Sequence, residues 1–194
     1  MPIFYYNDSW MIYNCFLALL PVGFGFLFIL IKNPIIKTFF GVLWLLFLPN
    51  TIYIFTDLEH LIEQWPLMPL LYRIPLLLQY IILVTVGIGT FFVALYPFEK
   101  LVLMKKRYKQ KKYVLLIVFN FFIAFGMVLG RVERINSWQV FTDPMRVIDS
   151  AITVLTSLDL LIVLILFGLF CNFLYFLFRR RFLSYMNNFS NILD

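Results

Sequence analysis

The 194 residues are 63% hydrophobic and 13% charged, with 24 Phe and a mean hydropathy of +0.92, a balance that excludes a water-soluble globular domain. The net charge of +6 does not point to nucleic acid, because the cations sit beside apolar runs rather than on an open polar surface. Cys15 and Cys171 fall inside apolar stretches with no CxxC or Cys/His spacing, which argues against a disulfide framework, a redox motif or a zinc motif.

Residues 1–10 hold Asp8 and no Lys or Arg, and the apolar run after them is longer than a signal-peptide core, so a retained first helix is expected. A helix needs roughly 20 apolar residues to cross about 30 Å of hydrocarbon, where every backbone polar group must be satisfied internally. Five segments qualify: about 11–31, closed by Lys32-Asn33-Pro34; 38–56; 75–97; 113–131; and 151–178, closed by Arg179-Arg180-Arg181. The expected fold is an all-α transmembrane bundle forming a single integral membrane domain over 1–194. Residues 65–74, interrupted by Pro66 and Pro69, are too short to span and read as an interfacial or re-entrant segment.

Lys and Arg in short loops stay on the cytoplasmic side. Lys32, Lys37, Lys100, the run of basic residues from Lys105 to Lys112 and the three terminal arginines fall on one side, against Arg73, Arg131, Arg134 and Arg146 on the other. The N-terminus is therefore expected outside and the C-terminus inside. Segment 99–112 reads as a topology determinant touching anionic lipid. Trp10, Trp65 and Trp138 match the outer interfacial belt, whereas Trp44 lies deeper and reads as packing. Asn120 and Asn172 are candidates for bridging helices.

The second span ends in Pro49-Asn50-Thr51-Ile52-Tyr53-Ile54-Phe55-Thr56-Asp57-Leu58-Glu59-His60-Leu61. Proline frees a carbonyl of the turn before it, and Asn50 is the expected partner. On a continuing helix Asn50, Tyr53 and Asp57 share one stripe, with His60 three residues further on. The fourth span leaves the membrane on the same side through Gly130-Arg131-Val132-Glu133-Arg134-Ile135-Asn136-Ser137-Trp138. Paired arginines three residues apart suit carboxylate or phosphate. Asp159, placed two turns inside the fifth span, is an intramembrane charge that needs a partner, and Arg131 is the first candidate.

These two stretches resemble the signatures of a bacterial multi-pass membrane-protein family of unknown function, catalogued as DUF1361. The likeness covers most of the chain. Gln139 and Gln79 stand where the family pattern has acidic residues. The resemblance implies a multi-pass protein and supplies no activity; a bacterial plasma membrane is the implied location.

The residues together predict one outward-facing recognition site built from Asn50, Tyr53, Asp57, His60, Arg131, Arg134 and Asn136. Its expected ligand is a small ion, an anion or a lipid headgroup, anionic lipid included. Asp57 and His60 can share an ion, but Glu59 and Glu63 point away from them, so no metal is assigned and the cofactor is unknown. A lipid-modifying membrane enzyme is the first alternative, although HExxH, GxSxG and a glycine-rich phosphate loop are missing from the sequence. A small transporter is the second, since an intramembrane acid and a proline-broken helix are features transport sites use.

Overall fold

A computed structural model describes residues 2–103 and 110–193, with side chains over 7–101 and 110–184. Lys105, Lys106, Arg107 and Lys109, on which the basic loop was predicted, lie outside the described residues. Every regular element among the described residues is helical. Five runs are long and apolar enough to cross a membrane: Asn7–Leu30, Pro34–Leu67, Leu70–Leu101, Lys112–Arg131 and Leu158–Ser184.

Helix α1 (Pro2–Leu30) ends before Asn33, whose side-chain oxygen accepts the N–H groups of Ile35 and Ile36 at 3.0 and 3.4 Å. Pro34 follows at the first helical position, where a missing N–H costs nothing. The next span is broken: α2 (Pro34–Phe47) stops two residues before Pro49, and α3 (Asn50–Tyr53), a 3₁₀ turn (Ile54–Asp57) and α4 (Leu58–Gln64) carry it onward. It therefore runs past its expected end at 56.

The 65–74 segment, read as interfacial or re-entrant, is divided between two elements. A 3₁₀ turn (Trp65–Leu67) and an extended Met68 lead directly into α5 (Leu70–Phe98), so the third span begins at Leu70 rather than 75. Pro69 sets this start, because proline cannot donate to a preceding helix but readily opens a new one. A π turn (Glu99–Leu103) continues from α5.

Helix α6 (Lys112–Arg131) matches the fourth predicted span. After it come α7 (Gln139–Thr142), α8 (Pro144–Thr156) and α9 (Leu158–Leu193). The fifth span differs from expectation. Ser157 is extended (φ −84°, ψ 123°) and separates α8 from the membrane-length run, which starts at Leu158 rather than 151. Asp143 caps α8 by accepting the Arg146 N–H at 3.3 Å. Ser150 and Val154 of α8 face the protein, while Met145, Ile148, Ile152 and Leu155 are exposed along one side.

Helix α1 packs along α2 and α5, and α6 along α9. Lipid tails are as apolar as leucine, so close packing and polar contacts order such helices more than water exclusion does. Trp44 supplies both. Its indole donates to the Ala94 carbonyl at 2.7 Å between the rings of Phe28 and Phe119. Deeper in the bundle the Asn120 amide donates to Asn172 at 3.1 Å, and Asn172 donates to the Gly168 carbonyl at 2.8 Å, so these two asparagines join α6 to α9 as expected.

The 20 residues of α6 reach about 30 Å, the thickness of the hydrocarbon layer. Arg131 at one end contacts Asp57 and Glu59; Lys112 at the other contacts Glu99. These charges mark two faces of the bundle, the Asp57 face and the Glu99 face.

Candidate functional site

The site starts at Pro49. Lacking an N–H, it leaves Leu45 without the helical donor that the fourth residue along would give, and the turn opens. The opened carbonyl of Leu46 is met by the hydroxyl of Ser137, which donates to it at 2.9 Å. The sequence assigned such a role to Asn50; Ser137, 91 positions from Leu46, performs it. The proline ring seats against Gly126 of α6, where an added Cβ would overlap it. One motif thus repairs the break made by the other.

Behind this junction lies a charge cluster. Asp57 is 2% exposed, accepts the Asn14 amide at 2.7 Å and stands 3.6 Å from the Arg131 guanidinium. Arg131 also donates to Glu59 at 2.9 Å and lies over the Tyr53 ring, 5.7 Å from its centroid. Glu59 is solvent-exposed, so its share of the pairing is screened, whereas the contact with buried Asp57 is not.

The expected Asp159–Arg131 pair does not form. The break at Ser157 puts Asp159 in the first turn of α9 instead of two turns inside the span, and it is exposed there. A carboxylate is favoured in that position by the free N–H groups and positive end of the helix dipole. Arg131 meanwhile is taken by Asp57 and Glu59.

His60 and Arg134 stand outside the junction. His60 Nδ1 lies 3.3 Å from Glu63, and its ring meets Trp10 edge-on at 5.4 Å. Among the described residues no three His, Cys, Asp or Glu side chains converge as a metal site would require. Arg134 is exposed and left-handed, with φ 55°, the only residue with a positive φ among those described. Its conformation turns the chain so that the Ile135 N–H reaches the Leu129 carbonyl at 3.0 Å. Arg134→Gly is expected to keep thermal stability or raise it by about 1 kcal/mol, because glycine carries no Cβ penalty there. A drop in Tm in detergent would show instead that the guanidinium holds the turn.

Between α1, the α2–α3 junction, α6 and the 135–140 segment lies a cavity of about 310 Å³. Its polar lining comes from Tyr13, Asn14, Asn50, Tyr53, Asn136, Ser137 and Trp138, and its apolar lining from residues including Leu17, Phe122 and Phe125. Among the described residues no charged side chain lines it. The side-chain amides of Asn50 and Asn136 make no hydrogen bond among the described residues; the backbone N–H of Asn136 donates to Gln139 at 2.6 Å. Of the seven predicted residues, Asn50, Tyr53 and Asn136 therefore meet in one cavity. Asp57 and Arg131 stand behind Tyr53, and His60 and Arg134 are elsewhere.

Three polar groups escaped the sequence reading. Asn7 and Gln64 exchange amide hydrogen bonds at 2.9 and 3.0 Å, with the Tyr80 hydroxyl 3.4 Å from Gln64. Asn14 holds Asp57 from a helix read only as a span. On the opposite face Glu99, 2% exposed, accepts the Tyr175 hydroxyl and two N–H groups of Arg179, the latter at 2.5 and 3.0 Å, with Lys112 at 3.6 Å. The available signal was Glu99 as the single acid in the basic 99–112 stretch, with Tyr175 and Arg179 one helical turn apart.

Residues 13–174 match the model of a family described as "Protein of unknown function (DUF1361)". No curated protein and no solved structure matches the chain.

Proposed function

Since the chain belongs to the DUF1361 family, a family of unknown function, we propose from the cavity that it is a binding or accessory protein for a membrane amphiphile. The ligand's head would sit among Asn50, Tyr53 and Asn136, and its proximal chain against Leu17, Phe122 and Phe125. The observation that carries this reading is the cavity itself, in which the uncommitted amides of Asn50 and Asn136 and the Tyr53 ring share one space with an apolar wall. Asn50 is half-buried and Asn136 exposed, so water reaches both amides in the open cavity, and a ligand's polar head would take over those hydrogen bonds while its chain meets the apolar wall. The volume lies at the small end of the roughly 300–1,000 Å³ typical of ligand pockets, which suits a headgroup rather than a whole lipid.

In this reading the Asp57 face is the outer face of a bacterial plasma membrane, an orientation supported by the charge asymmetry of the loops. Arg131 positions Tyr53 and neutralises Asp57 rather than clamping an anion.

Mass spectrometry of the full chain released from gentle detergent tests the binding. The wild type should carry a lipid, and Asn50→Leu and Asn136→Ala should each lose most of it while keeping the wild-type Tm, since neither side chain bonds within the described residues. Wild type without bound lipid, or variants that retain it fully, would overturn the proposal. Orientation has its own test: Gln110→Cys should resist an impermeant maleimide in intact cells and react after permeabilisation. Labelling in intact cells would reverse the faces.

A further inference from the structure

We propose that the head of this amphiphile is an uncharged polyol or sugar; this rests on the cavity being the binding site. The first argument is electrostatic. Among the described residues no cation lines the space, and Arg131, the nearest one behind it, is already shared by Asp57, Glu59 and the Tyr53 ring. A phosphate drawn into the cavity would lose its hydration without gaining a counter-charge, a cost that neutral donors do not repay.

The second argument is the mixture of donors and acceptors. Asn50 and Asn136 each offer both kinds of group. Asn14 keeps its side-chain oxygen and one N–H after donating to Asp57, and Ser137, whose hydroxyl proton goes to Leu46, presents an oxygen acceptor. A phosphate only accepts and would leave the Ser137 oxygen and the amide oxygens without a donor. Sugar hydroxyls donate and accept at once and can satisfy every group.

The third argument is the mouth. The Trp138 indole is 45% exposed at the cavity rim, where an aromatic face can cover the apolar C–H surface of a sugar ring. Tyr13 and Phe122 on the same cavity are half-exposed, on helices long and apolar enough to cross the membrane, which gives an attached chain a lateral way to remain in the bilayer.

The test uses the full chain in nanodiscs of phosphatidylcholine doped with equal mole fractions of monoglucosyl diacylglycerol or phosphatidylglycerol of matched chains. Binding is read by native mass spectrometry after ejection from the discs. The glucolipid should be retained about tenfold over phosphatidylglycerol, and Asn50→Leu and Asn136→Ala should abolish the preference. Equal retention of both lipids, or preference for phosphatidylglycerol, with either lost in the two variants, would overturn the uncharged head and leave the amphiphile site standing. Retention of neither lipid, or retention unaffected by the variants, would overturn both.

Discussion

Glu99→Ala is expected to destabilise the protein by about 3–5 kcal/mol, because it removes a buried carboxylate on which three side chains converge. The alanine removes the carboxylate that receives Tyr175 and Arg179 and faces Lys112. Two cations would then be left without their shared anion, and the Tyr175 hydroxyl, on a fully buried ring, without an acceptor. The loss should appear as a lower midpoint in detergent unfolding. Glu99→Gln keeps an oxygen acceptor and should cost less. Combining Glu99→Ala with Arg179→Ala should cost less than the two changes added together, because the second removes one of the charges stranded by the first. Strict additivity would mean that the three helices are held by packing alone at this face.

Arg131→Ala should rank second, at about 3 kcal/mol, since it leaves Asp57 buried with Asn14 as its remaining polar contact. The informative measurement is a pair of double-mutant cycles. Arg131 with Asp57 should couple by more than about 1 kcal/mol, whereas Arg131 with Asp159 should be additive within about 0.5 kcal/mol. Coupling to Asp159 instead would mean that α9 approaches Arg131 more closely than the break at Ser157 allows.

The spans were legible because twenty consecutive apolar residues leave the backbone few alternatives in a bilayer, and α6 was read to within a residue of its ends. Breaks were harder. Pro49 announced itself by chemistry, since no helix carries proline without losing a bond. Ser157 did not, because serine in an apolar run is compatible with helix or turn, and only tertiary context chose the extended backbone that moved Asp159 to a helix start. Partners across long separations were the least legible. Ser137 was seen as part of a motif, but nothing local tells a hydroxyl that its acceptor is Leu46. The arginines were valued for their charge, and the sequence could not say that one would be spent on Asp57 while the other turned the chain. The neutral amides that face the cavity drew less notice than those charges.

The two ends of α6 carry a further implication for the surrounding lipid. Lys112 is held toward Glu99 and Arg131 toward Asp57, so the helix is tied to its neighbours at both ends of a length near the hydrocarbon thickness. A free helix meets a thicker or thinner bilayer by tilting or sliding. Relative to its neighbours this one can do neither without breaking an ionic contact, so α6 answers a mismatched bilayer only together with the rest of the bundle. Adjustment to membrane thickness is thereby a property of the whole bundle rather than of its single helices.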